Sequence, residues 1–237
     1  MSGFDRPRPG RPLRSRGRGT PMAARVRFSL ARAYAHLRAT DPVLAALIEA
    51  HGPYQPRPLE EATPEAYYRS LQRTILFQQL AGPAARSIQR KWFALYSKQD
   101  RPPTPREVLK TTDEQFRASG VSRQKAGYLR DLAEKTLDKT LDFGGFETMS
   151  DDEIVERITA VKGLGEWSAH MFMMFTLGRP DVLAIGDLGI RNGMKIAYDL
   201  PKTPTPKEAL AIGAPWAPYR SVGAWYMYRA IDTQDPD

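Results

Sequence analysis

VKGLGEWSA, residues 161–169, sets two glycines two apart just ahead of a tryptophan. On its N-terminal side, DDEIVERITAV (151–161) repeats apolar residues at helical spacing and opens on Ser150 with Glu153 three residues later, a capping signature. On its C-terminal side, EWSAHMFMMFTL (166–177) has helical spacing as well. A turn this short joins two helices without building a core of its own. Glycines tolerate positive φ and leave N–H groups uncovered, and N–H groups at a helix N-terminus suit a phosphate. Contacts of that type position DNA without reading its sequence. An ordinary helix-helix connection fits the bare glycine pair equally well, so these residues alone leave both readings open.

Outward from the turn, the helical pattern continues in FSLARAYAHL (28–37), PVLAALIEA (42–50), the long stretch 66–96, REVLKTTDEQFRASG (106–120), RQKAGYLRDLAEKTL (123–137) and LGIRNGMKIAYDL (188–200). No alternating strand pattern interrupts it, and prolines and glycines punctuate it near residues 53–58, 102–105, 144–145, 178–180 and 201–206. The expectation is an all-α protein of roughly nine to eleven helices. With 237 residues and 41% hydrophobic content, the chain is long enough for one large helical domain over 28–237 or two helical subdomains within it.

Charge is unevenly placed. Residues 1–27 hold eight arginines against Asp5, so they carry +7 of the net +8. Their alternation of Arg with Pro and Gly offers no apolar face, and a disordered tail is expected. A nonspecific phosphate grip and an extension upstream of Met22 without function are both compatible with it. No apolar run of membrane-spanning length and no secretory leader pattern occurs, which predicts an intracellular protein with no membrane partner. The absence of cysteine excludes disulfides, Cys-ligated zinc and Cys-ligated iron–sulfur clusters. His36, His51 and His170 show no metal-ligand spacing, and no phosphate-binding P-loop or dinucleotide fingerprint is present.

VKGLGEWSAHMFMMFTLGRPDVLAIGDLGI (161–190) resembles the helix-hairpin-helix, Gly/Pro-rich loop and aspartate signature of the HhH-GPD DNA glycosylase superfamily, and within it the AlkA-like alkylpurine (3-methyladenine) glycosylases. LFQQLAGPAA (76–85) and GVSRQKAGYLRDLA (120–133) are similar to two further family segments, and the likeness spans about residues 28–232. It implies a two-lobed helical fold with the active-site cleft between the lobes and the hairpin at 151–177. Three departures stand out: Lys162 replaces the hairpin proline, and Phe77 and Ala81 stand where Gly and Ser are usual. The β-rich domain of larger members has no counterpart.

The resemblance implies a monofunctional hydrolase that releases 3-methyladenine and 7-methylguanine from duplex DNA after base flipping, at the start of base excision repair. Asp187, twenty residues after Trp167, is the implied catalytic carboxylate. It would stabilise oxocarbenium character on the sugar and orient water. An N-cap role is the competing reading of Asp187, and Asp181, beside Pro180, is a rival acid that reads better as a turn residue. Lyase members use a lysine where Trp167 stands, so no lyase activity is expected. Trp167, Tyr228 and Met171 are the implied base-pocket residues, whereas Trp216, Tyr219, Trp225 and Tyr226 read equally as core. Lys162, Gly163, Leu164 and Gly165 are the implied DNA-binding turn. Gln79 is the implied wedge, against an ordinary helix-surface glutamine. No cofactor is required by this reading, and the backbone carbonyls of Thr159, Val161 and Leu164 are implied donors to a structural Na+ or K+ ion. The expected partner is double-stranded DNA with alkylated bases, bound by a monomer. A glycosylase for another base and a noncatalytic damage-binding protein remain as alternatives, although the adenine-mismatch and endonuclease-like branches normally carry a C-terminal Cys cluster and this chain has no cysteine.

Overall fold

The computed structural model describes residues 28–55, 62–97 and 101–232; the expected tail over 1–27 lies outside the described residues. The described residues hold no strand, and twelve α-helices replace the expected nine to eleven. Two stretches read as continuous are each cut in two. The first, 66–96, breaks at Gln78–Ala81 into α3 (Pro64–Phe77) and α4 (Gly82–Phe93). The second breaks into α5 (Pro105–Lys110) and α6 (Asp113–Ala118), because Thr112 opens a capping box with Gln115.

Caps explain most of the remaining boundaries. Asp41 ends α1 (Leu30–Thr40) and accepts from Val43 and Leu44 N–H to start α2 (Pro42–His51). The predicted pair Ser150 and Glu153 forms a complete capping box at the start of α8 (Asp151–Thr159). Thr205 and Glu208 do the same for α11 (Pro206–Gly213).

Helix packing divides the described residues into two lobes. The first is discontinuous in sequence: α1 and α2 pack with α10 (Leu188–Ala197), α11, the 3-10 turn Ala214–Trp216 and α12 (Arg220–Asp232). Its centre is the buried carboxylate of Asp41, which accepts from Trp216 Nε1 at 2.8 Å and from the Tyr198 hydroxyl beyond the end of α10. A buried charge is tolerated only when hydrogen bonded in this way. The second lobe packs α3, α5 and α6 on α7 (Arg123–Leu137), with the hairpin of α8 and α9 (Glu166–Phe175) against α3. Its core includes the rings of Tyr67, Phe143, Phe146 and Phe172, in edge and stacked contacts of 5.4–6.3 Å.

The aromatics of the chain's last helical region are core, as one of the two sequence readings had them: Trp216 and Tyr226 are fully buried, and Trp225 meets Tyr54 edge-on. Asp181 is spent on a bidentate ion pair with Arg220, at 2.7 and 2.8 Å.

Candidate active site

A cleft of about 1110 Å³ opens on the second lobe. Its walls come from α3 (Arg69, Arg73, Phe77), the turn after it (Gln78, Gln79), α7 (Gln124, Lys125, Tyr128) and the hairpin (Gly163, Trp167, Met171, Phe175). The lining includes three cations and no carboxylate. Two of the cations are directed: Arg73 lies 3.8 Å from the centre of the Phe77 ring, and Lys125 donates to main-chain carbonyls at the end of α3. Burial pushes the Lys125 ammonium below its ordinary value.

The first lobe meets a wall of this cleft where Asp187 bonds to Trp167. One carboxylate oxygen accepts from Ile190 N–H at 2.8 Å as the N-cap of α10, and the other accepts from Trp167 Nε1 at 2.6 Å. Asp187 is therefore the N-cap of α10, and its second oxygen is held by an indole that lines the cleft. Asp187 is buried, whereas Trp167 is 45% exposed, so the indole lies open along the cleft while its N–H orients the acid.

Tyr228 and Met171 join the same cluster across the lobes. The Tyr228 hydroxyl donates to Met171 Sδ at 3.7 Å. Burial, and then the neighbouring Asp187 carboxylate, push its phenol well above the ordinary value. Gly189, unremarked in the sequence, makes room for this contact: a Cβ there would lie 2.8 Å from the Tyr228 ring and 3.0 Å from Asp187 Oδ1.

Three residues of the hairpin turn also have partners within the fold. Gly163 has φ +81, and a Cβ would lie 2.2 Å from the Tyr128 ring, so close packing on α7 demands the glycine at least as strongly as any approaching phosphate. Leu164 is a core residue with a buried side chain, and its N–H is already donated to the Val161 carbonyl at 3.1 Å. Lys162 is exposed and paired with Asp131. Its Nζ lies 3.5 Å from Asp131 Oδ1, and its N–H donates to Oδ2 at 2.9 Å. Burial alone would raise the Asp131 carboxyl, but Lys135 and then the Lys162 N–H and ammonium outweigh it and hold the group below its ordinary range.

Gly165 keeps its expected openness. It is the N-cap of α9, has no side-chain cap, and a Cβ there would meet nothing within 4 Å. Gln79 is not a helix-surface glutamine. It sits exposed in the α3–α4 turn at φ +56.

The family model for HhH-GPD superfamily base excision DNA repair proteins matches residues 72–218, a span that includes the Gln79 turn, the hairpin, Trp167 and Asp187. The chain belongs to the HhH-GPD superfamily. Among its relatives, DNA-3-methyladenine glycosylase 1 of Schizosaccharomyces pombe is 35% identical over 87% of this chain and 90% of its own length. The same organism's alkylbase DNA glycosidase-like protein is 31% identical over 84% and 92%. Two solved structures share the HhH-GPD fold closely. The S. pombe 3-methyladenine DNA glycosylase in complex with abasic DNA superposes with TM-score 0.73 at 34% identity, covering 84% of this chain and 95% of that one. The DNA-3-methyladenine glycosidase of Bacillus halodurans gives 0.72 at 33%, covering 85% and 90%. No helix among the described residues is long and apolar enough to cross a membrane.

The HhH-GPD resemblance stated from the sequence thus holds over most of the chain. Sequence reasoning missed Tyr128, Lys125, Gln78 and Gly189. The first two stand in GVSRQKAGYLRDLA, a segment noted for its likeness alone, to which no chemistry was attached.

Proposed function

We propose that this HhH-GPD protein is a monofunctional DNA glycosylase that hydrolyses the N-glycosidic bond of alkylated purines, 3-methyladenine and 7-methylguanine foremost, in duplex DNA. The observation that carries this reading is the Asp187 carboxylate, buried beside the cleft wall with one oxygen fixed by the α10 N-terminus and the other by Trp167. A charge held by existing hydrogen bonds needs no reorganisation when positive charge develops on the sugar, which is the condition for strong electrostatic stabilisation. An alkylated purine is already cationic and departs without an acid to protonate it, so one carboxylate suffices. The exposed Trp167 ring and the Phe175 ring supply π faces for such a cation.

The uncapped N-terminus of α9 at Gly165 is the part of the turn suited to phosphate. Lys162 contributes to it as one partner of an ion pair. The Thr159, Val161 and Leu164 carbonyls lie at or just beyond the C-terminal end of α8, where carbonyls lack intrahelical partners and the helix dipole favours a cation. Val161 spends one lone pair on Leu164 N–H, which leaves it one for a Na+ or K+ ion.

The direct test incubates the full chain with methylated duplex DNA and scores free bases and strand breaks separately. The expected result is release of both methylated purines, slow release of uncharged bases, and intact strands at the resulting abasic sites. Tight binding to an abasic duplex without any release would replace the enzyme by a damage-binding protein, and preferential release of an uncharged base would replace the lesion class.

Trp167→Phe separates the two roles of the indole. The ring face survives, but the hydrogen bond to the carboxylate is lost. A bond to a charged group contributes about 1.5–3 kcal/mol, so the single-turnover rate is expected to fall about 10- to 100-fold. Binding to an abasic duplex, measured by fluorescence anisotropy, should change little. An unchanged rate would show that Trp167 does not orient Asp187.

A further inference from the structure

Helix α7 reaches both turns at the cleft mouth. Lys125 Nζ donates to the Leu76 carbonyl at 2.6 Å and to the Gln78 carbonyl at 2.8 Å, at the C-terminal end of α3, where unpaired carbonyls and the helix dipole favour a cation. One turn further along α7, the Tyr128 ring fills the space over Gly163, and next to it Asp131 accepts the Lys162 N–H. The circuit closes through Gln78, whose Nε2 donates to the Gly163 carbonyl at 2.7 Å.

Between these anchors Gln79 is held exposed in the left-handed region at φ +56. For a residue other than glycine this conformation is strained and persists only where the surroundings over-determine it. Here the carbonyl of the preceding residue is clamped by Lys125, and the side chain of that residue is clamped to the hairpin.

We propose that Lys125 and Gln78 are positioning residues that lock the Gln79 turn to the hairpin, so that phosphate gripping and insertion of Gln79 into the base stack occur as one concerted contact. This rests on the DNA-binding reading above. The ordering entropy of the wedge is lost at folding instead of at each encounter with a lesion, which is the advantage of preorganisation. The segment GVSRQKAGYLRDLA thereby acquires a role, since its Lys holds one turn and its Tyr seats the other.

The test uses the full chain as wild type, Gln78→Ala, Gln79→Ala and the double variant. The probes are an undamaged duplex, an abasic duplex carrying 2-aminopurine opposite the gap, and methylated duplex for single-turnover release. Gln78→Ala is expected to bind undamaged DNA within about twofold of wild type but to lose the 2-aminopurine signal and about tenfold in release, the effect of one hydrogen bond. Because Gln78 acts through Gln79, the double variant should be no worse than Gln79→Ala by more than about twofold. Losses that multiply in the double variant, or a full fluorescence change in Gln78→Ala, would overturn the coupling. Lys125→Met is the second route: it should repeat the Gln78→Ala behaviour, and Lys125→Arg, which keeps a donor to both carbonyls, should restore it. Failure of that rescue in a protein with native circular dichroism also counts against the proposal. A wild type that gives the fluorescence change but releases no base would sink the glycosylase reading while leaving the coupling decided by the same cycle.

Discussion

Asp187→Asn is expected to lower single-turnover base release by a factor on the order of 10³ while leaving binding to an abasic duplex within a few-fold of wild type. The substitution is chosen for what it preserves. Asn is as good an N-cap as Asp, so its side-chain oxygen can still accept from Ile190 N–H and keep α10 started. Its amide nitrogen then faces Trp167 Nε1, donor against donor, where the carboxylate accepted at 2.6 Å. That mismatch costs about 1 kcal/mol, and it is relieved by rotation of the half-exposed indole. The fold therefore survives while the full negative charge beside the cleft wall disappears. Asp187→Ala is the less informative change, because it removes the cap as well and costs about 1 kcal/mol of stability for reasons unrelated to chemistry. Rapid-quench release from methylated duplex, with anisotropy on the abasic duplex in parallel, separates the two terms. Retention of more than about a tenth of the wild-type rate in Asp187→Asn would remove Asp187 from the electrostatic role.

Gly193→Ala is expected to destabilise the protein by about 3 kcal/mol, a fall in melting temperature on the order of 10 °C for a chain of this size. Propensity alone argues the other way, since Ala in a helix interior gains about 1 kcal/mol over Gly. The surroundings decide the sign. A Cβ at Gly193 would sit 2.0 Å from the carbonyl oxygen of Met227 and 2.5 Å from its carbon. This obstacle is backbone, so no rotamer change can clear it, and α10 must move away from α12. At Gly163 the added Cβ meets the Tyr128 ring at 2.2–2.5 Å in a residue already at positive φ, so a loss is expected there as well. Because α10 begins at Asp187, the displacement at Gly193 should also reduce base release in the protein that remains folded. Thermal unfolding followed by circular dichroism checks the first effect, and release at a temperature well below the transition checks the second. A melting temperature at or above wild type would mean that α10 and α12 do not cross as closely as described.

The local features of the site were legible because their causes act over a few residues. The Ser150 and Glu153 pair three residues apart dictates where α8 starts, and the apolar spacing of 151–161 and 166–177 dictates two helices with a short turn between them. The N-cap reading of Asp187 rests on the same short range. Other features depend on a distant partner. Lys162 reads as a cation of the turn, and only the fold shows that Asp131, 31 residues away, pairs with its ammonium and accepts its N–H. The break at Gln78 is hidden inside a periodic pattern, because what holds it open is Lys125 from another helix and the Gly163 carbonyl from the hairpin.

By itself, then, the sequence determined an all-helical chain, the hairpin with its glycines, and the spacing of Trp167 and Asp187 that marks the superfamily. Helix propensity, caps and apolar periodicity are written into neighbouring residues and need no knowledge of the rest of the molecule. Only the tertiary structure decided that the Trp167 indole orients the Asp187 carboxylate, that Tyr128 is the reason for Gly163, and that Gln78 ties one turn to the other. Those pairings join residues 20 to 85 positions apart. They depend on the angle and depth at which whole helices pack, and no stretch of sequence carries that quantity locally.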